Sequence, residues 1–129
     1  MENLINVLKS YEDFVSMQGA SKEEIQKAEY QLSLSFAKDY ADYLAEFGVA
    51  CSNGHELTGI TKSKRLSVID VTLNDKKRNP SVPVSLYVVE DTGIDKTLIW
   101  QNKKGKLFQT ICINAPISLK ETLADYIKL

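Results

Sequence analysis

Histidine occurs once in the 129 residues, tryptophan once, cysteine twice and proline three times. Each scarcity excludes something. With His55 as its one imidazole, the chain has no histidine-pair metal site and no mechanism that needs two such rings. Glu56, the next residue, would point to the other face of a strand, so His55 reads as a loop or strand-edge residue. Cys51 and Cys112 lie far apart and form neither a disulfide framework nor a CxxC site. They read as two reduced, structural cysteines, with a single bridge between them left open. Neither has a histidine helpfully placed in sequence, which argues against a thiol nucleophile. No Gly-x-Ser-x-Gly elbow, Walker glycine loop or dinucleotide fingerprint occurs. No apolar run approaches the roughly 20 residues that span a bilayer. The N-terminus, MENLINVLKSYEDF, mixes acids with apolar residues and lacks the basic start and hydrophobic block of a signal peptide. The expectation is a cytoplasmic protein with no cofactor, no metal, no catalytic residues and no membrane contact.

The apolar share of 43% and charged share of 26% are ordinary for a globular chain, and the length suits one domain over residues 1–129. A net charge of −1 conceals a split. Residues 1–56 hold ten acids against four bases, whereas residues 57–110 hold five acids against ten bases. If the two segments stay apart in space, the acidic half would steer a basic partner toward itself. The alternative is a set of solvated faces.

Hydrophobic spacing predicts a helix over 3–17 with Leu4, Leu8, Tyr11 and Val15 on one side. Ser21 and Glu24 form a capping box opening a second helix through Leu32. In SFAKDYADYLAEFGV, Phe36, Tyr40, Tyr43, Leu44 and Phe47 draw one helical stripe, and Gly48 stands where a left-handed C-cap belongs. Asn53-Gly54 marks a turn before a short strand at 57–61. Residues 66–78 read as a helix ended by Asn79-Pro80. Strands follow over 84–90, 98–102 and 107–111, and Ser118 with Glu121 would cap a last helix carrying Leu119, Leu123, Tyr126 and Ile127. Helices at both ends of an antiparallel meander make an α+β domain.

Candidate contact residues are few. Asp39, Asp42 and Glu46 form an acidic ridge beside the aromatic stripe, at i, i+3 and i+7 of one helix. Glu90, Asp91 and Asp95 gather around a strand-connecting loop without the alternating ligands of a calcium loop. Trp100, in the middle strand, is either a core aromatic or a partly exposed interface anchor. The small basic clusters at Lys76–Arg78 and Lys103–Lys106 are too few to argue for direct nucleic-acid binding.

The stretch SKEEIQKAEYQLSLSFAKDYADYLAEFGVA resembles the helical entry of the SUKH superfamily, the Smi/Knr-like proteins. Ile25, Ala28, Glu29, Leu32, Asp39, Tyr40, Tyr43, Leu44 and Gly48 fall at matching places. GHELTGI, with Gly59, resembles the strand that follows, and LYVVEDTGIDKTLIWQNKKGKLF resembles the meander. Ala37 departs from the usual proline, and Val49-Ala50 from the usual second glycine. The resemblance implies helices covering an antiparallel sheet. It also implies a bacterial immunity protein that binds a cognate secreted toxin, often a nuclease, and blocks it by stoichiometric occlusion. Fungal relatives imply the alternative, a non-catalytic intracellular regulatory or scaffold module. For the first role the candidate partner-binding residues are Asp39, Asp42, Glu46, Glu90, Asp91, Asp95 and Trp100.

Overall fold

The computed structural model describes residues 3–129; Met1 and Glu2, part of the acidic N-terminal stretch and of the span 1–129, lie outside the described residues. Helix α1 (Leu4–Lys9) is capped by Asn3, whose Oδ1 accepts the Ile5 N–H at 2.8 Å. The helix expected over 3–17 stops at Ser10, whose hydroxyl donates to the Val7 carbonyl at 2.7 Å. Beyond it, Asp13 accepts the Asn53 and Gly54 N–H groups at 2.7 and 2.8 Å. Val15–Ser16 then becomes strand β1 and pairs with β2 (Ala50–Ser52). Long-range pairing thus overrides a local helical period.

Strand β2 turns through Asn53-Gly54, both at positive φ, into β3 (His55–Glu56). The turn is the expected one. The strand is His55–Glu56 alone, and the expected strand over 57–61 does not form. Helix α2 (Lys22–Leu32) carries its capping box: Ser21 Oγ accepts from Glu24 N at 3.1 Å, and Glu24 Oε1 accepts from Ser21 N at 2.9 Å. Helix α3 (Lys38–Phe47) buries Tyr40, Tyr43, Leu44 and Phe47, the predicted stripe. Helix α4 (Val68–Arg78) begins at the Ser67 cap.

Strands β4 (Tyr87–Asp91), β5 (Thr97–Gln101), β6 (Leu107–Ile111) and β7 (Ile117–Ser118) form one antiparallel sheet in chain order. The meander therefore has a fourth strand. Ser118 pairs with Phe108 instead of capping a helix. Thr122 caps helix α5 (Leu123–Ile127), its Oγ1 accepting from Asp125 N at 3.1 Å. Among the described residues, five helices and two antiparallel sheets give the expected α+β class.

The four-stranded sheet has a core on each face. One face carries Tyr87, Val89, Ile99 and Leu107 against α1, α3 and α5. The other carries Val88, Leu98 and Trp100 against Val71 of α4 and the Val82–Leu86 segment. Phenols stitch the first core. Tyr87 donates to Gln101 Oε1 at 2.6 Å and accepts the Ala37 N–H at 2.9 Å. Thr58 spends its hydroxyl proton on the Val88 carbonyl at 2.7 Å, so Tyr40 donates across the 2.8 Å contact to Thr58 Oγ1. Thr72 Oγ1 accepts the Val88 N–H and the Thr58 N–H donates to the Val89 carbonyl, so side chains and loop backbone close the β4 edge.

Two loops meet backbone to backbone behind α3. The Ile60 N–H donates to the Gly48 carbonyl at 3.0 Å, and a Cβ on Gly59 would lie 1.8 Å from that same oxygen. Gly48 itself caps α3 at φ +68. Only glycine fits at either place.

Candidate interaction surface

The seven candidate residues separate into three environments. On α3, Glu46 is exposed. Asp42 is half exposed and pairs with Lys38 at 2.8 Å, an exposed i,i+4 bridge worth a few tenths of a kcal/mol. Asp39 is half-buried: its Oδ1 accepts the Tyr40 N–H at 2.7 Å and the Gln101 Nε2–H at 3.1 Å. Burial pushes its carboxyl above the usual range, against the opposing pull of those donors. The ridge is therefore graded, from an anchored acid beside the sheet to a free one at Glu46.

Asp91, at the end of β4, and Asp95, in the turn that follows, are exposed. Asp91 Oδ1 accepts the Gly93 N–H at 3.0 Å, and Asp95 sits at φ +51. Asp39 touches the Gln101 end of β5, whereas this turn enters at Thr97. The strand separates the two acidic groups by about 13 Å along its axis. The structure does not join them into one patch.

Glu90 and Trp100 correct the surface expectation. A bulge in β4 between Val88 and Glu90 resets the alternation, so Glu90 pairs with Ile99 and turns onto the face covered by helices. It is 5% exposed. Its carboxylate accepts the Glu56 N–H at 3.0 Å, meets His55 Nδ1 at 2.9 Å and accepts the Tyr126 hydroxyl. Because a carboxylate only accepts, the His55 proton sits on Nδ1. Burial, the hydrogen bond to Glu90 and its charge hold the Tyr126 phenol well above its ordinary range, keeping it a donor. His55 also packs its ring on Tyr126 at 4.8 Å. This cluster ties α5 to both sheets. Trp100 is fully buried, and its Nε1–H donates to Thr110 Oγ1 at 2.9 Å. It anchors the second core.

His55 thus sits at a strand edge as expected, but with structural partners that its sequence neighbours did not suggest. Ser52, opposite it in the hairpin, is fully buried and donates to the Leu8 carbonyl at 2.6 Å. The serine, histidine and glutamate here make a closed structural set. Cys51 and Cys112 are free thiols, half-buried and exposed respectively. Glu56, on the outer face, pairs with Arg65 through two bonds of 2.8 and 3.1 Å, which lower its carboxyl pKa. Among the described residues no group of histidine, cysteine and acidic side chains could hold a metal ion. No helix among them is long and apolar enough to cross a membrane.

Two clefts open at opposite ends of β5. The first, about 460 Å³, lies between α3 and the β5–β6 turn and is lined by Lys38, Asp39, Asp42, Lys103 and Lys104. The second, about 500 Å³, lies between α4 and the β4–β5 and β6–β7 loops. Its lining includes Asp75 and Ile113, which sequence reading did not single out. A signal existed: Ile94 and Ile113 are aliphatic residues in loops where turn chemistry favours polar ones.

The SUKH_5 family model, described as SMI1-KNR4 cell-wall, matches residues 1–113, which spans α1 through β6. Comparison with curated proteins finds no match.

Proposed function

The chain belongs to the SUKH superfamily, and from that premise we propose that it is a cytoplasmic immunity protein that binds a cognate secreted toxin and blocks it one-to-one. Membership supports reading the chain as an interaction module. The acids favour a nuclease as that toxin. A nuclease site attracts phosphate and is basic, so exposed acids complement it, with rim charges raising the on-rate and a few desolvated contacts carrying affinity. Asp42, Glu46, Asp91 and Asp95 are the accessible acids for that role; Asp39 contributes from its half-buried position. Glu90 and Trp100 drop out of the contact set because both are buried. Direct nucleic-acid or membrane contact forms no part of this reading.

A regulatory or scaffold module is the second reading, favoured by the cell-wall description of the matching family. Pull-down of the tagged protein from its own cells, with mass spectrometry and an inhibition assay, separates the two. Recovery of a toxin domain whose activity falls to zero at one equivalent supports immunity. Reproducible, stoichiometric recovery of housekeeping proteins alone would overturn it and support the regulatory module.

A further inference from the structure

The chain has seven asparagines, and Asn53 alone is followed by glycine. That pair makes the tip of the β2–β3 hairpin, both residues at positive φ, with Ser52 paired to His55 across it. Asparagine before glycine is also a reactive pair. With no Cβ on the second residue, its backbone nitrogen can approach the side-chain amide of the first. Gly54 is exposed, with nothing within 4 Å of the place a Cβ would take, so water reaches the site.

Both reacting groups are restrained in the fold. The nucleophile would be the Gly54 nitrogen, and its N–H donates to Asp13 Oδ2 at 2.8 Å. The electrophile would be Asn53 Cγ, and the amide it carries donates through Nδ2 to the Ile127 carbonyl at 2.7 Å. Asp13 Oδ1 takes the Asn53 N–H as well, at 2.7 Å, so one carboxylate clamps both backbone amides of the turn. The Gly54 nitrogen attacks only after losing its proton, and a carboxylate 2.8 Å away opposes the negative charge which that loss leaves. The bonds from Gly54 and Asn53 hold the Asp13 carboxyl below its ordinary range, so it stays charged and is a weak base.

We propose that Asn53-Gly54 is a self-modification site that consumes only water, guarded in the folded chain by Asp13 and by the Ile127 carbonyl. When this corner opens, hydroxide removes the Gly54 amide proton and the nitrogen attacks Asn53 Cγ. The new N–Cγ bond closes a cyclic imide. The Cγ–Nδ2 bond breaks, and ammonia leaves after taking a proton from water, which restores the hydroxide. Water then opens the ring at either carbonyl, giving aspartate or its isomer linked through the side chain. No oxidant or reductant takes part, and loss of ammonia makes the step one-way. Either product keeps the corner open. A carboxylate oxygen replaces the Nδ2–H donor opposite the Ile127 carbonyl and adds charge beside Asp13. The isomer also lengthens the backbone of a tight turn whose geometry sets the hairpin register. Ile127 is fully buried in the core it shares with α1, so one conversion loosens α5 for the life of the molecule.

The test follows the mass gain of the amide-to-acid change, located by peptide mapping, in the full chain held at mildly alkaline pH. In urea, Asn53 should react first among the asparagines, and the folded wild type should convert at least about tenfold more slowly. Folded Asp13→Ala, which removes an exposed side chain, should convert about tenfold faster than folded wild type, the size of a charge-assisted hydrogen bond. Val82→Ala, which weakens the other core, should convert at the wild-type rate. Equal rates folded and in urea, a different asparagine reacting first, or no acceleration in Asp13→Ala would each overturn the proposal. So would equal acceleration in Val82→Ala, because the reaction would then wait for global unfolding and the clamp would guard nothing. The product is tested separately with Asn53→Asp. Its α5 amides should lose hydrogen-exchange protection about tenfold relative to Asn102→Asp, where the side-chain oxygen only accepts, from the Lys104 and Lys106 N–H groups. Unchanged α5 protection in Asn53→Asp would overturn the claim that conversion frees the helix.

Discussion

Glu90 offers a quantitative test of the buried cluster. Its carboxylate holds three donors, from Glu56, His55 and Tyr126, at 5% exposure. Hydrogen bonds to a charged group contribute about 1.5–3 kcal/mol each, and an orphaned buried donor costs about 1–3. Two offsets reduce the sum. Removing the charge relieves its desolvation, and the His55 side chain, 16% exposed, can recover water. The net cost of Glu90→Ala should be about 2–4 kcal/mol. Glu90→Gln keeps one acceptor oxygen but aims an amide N–H₂ at groups that donate, for a cost of about 1–2 kcal/mol. The measurement is urea unfolding by circular dichroism at pH 7, extended to a double-mutant cycle with Tyr126→Phe. Residues in one network should show coupling of about 0.5–3 kcal/mol. Native-state hydrogen exchange should show α5 amides losing protection first in Tyr126→Phe, because that phenol is the helix's polar tie to β4. Glu90→Ala below about 1 kcal/mol with no coupling to Tyr126 would refute the account and return Glu90 to the surface.

Gly59→Ala should cost at least about 3 kcal/mol in the same unfolding assay, the top of the overpacking range, because its Cβ meets the Gly48 carbonyl at 1.8 Å. Gly54→Ala, at φ +76 but with open space around it, should cost only about 1–2 kcal/mol, and equal losses would contradict the loop junction. Burial raises the Asp39 carboxyl, so the native chain binds that proton more tightly than the unfolded one and stability falls as pH rises through the interval above the unfolded pKa of about 3.9. Asp39→Asn keeps an acceptor for Tyr40 and should raise the melting temperature at pH 7 but not at pH 3; a lower value at pH 7 would refute the sign. Trp100, the single tryptophan and fully buried, should give a blue-shifted emission resistant to iodide and unchanged by any partner, and an iodide-accessible signal would reinstate it as a surface anchor.

Elements whose period and caps agree were legible from sequence: α2 with its capping box, α3 with its aromatic stripe, α4, and β6 to the residue. Those decided by distant partners were not. Val15 fits a helical stripe but pairs with Cys51, and Ser118 fits a capping box but pairs with Phe108. The acids show the same limit. Asp42, Glu46, Asp91 and Asp95 remain outside, as one-residue reading suggests. Glu90 does not, because one extra residue in β4 turns it inward, and a bulge has no local signature when no glycine marks it. The cleft beside Asp75 was invisible because it forms where a helix ends short of a sheet, a property of lengths in space.

Helices α1 and α5 lie at opposite ends of the described chain and pack on each other. Leu4, Val7 and Leu8 share one core with Leu123, Ala124 and Ile127. During synthesis, then, that core lacks its last wall until residue 123 and beyond are made. Until α5 emerges, the side of α1 that it covers stays open even after α3 and β2 have packed on α1, a situation that favours chaperone engagement. A chain truncated before α5 should therefore leave Leu4, Val7 and Leu8 without the partners that close their core.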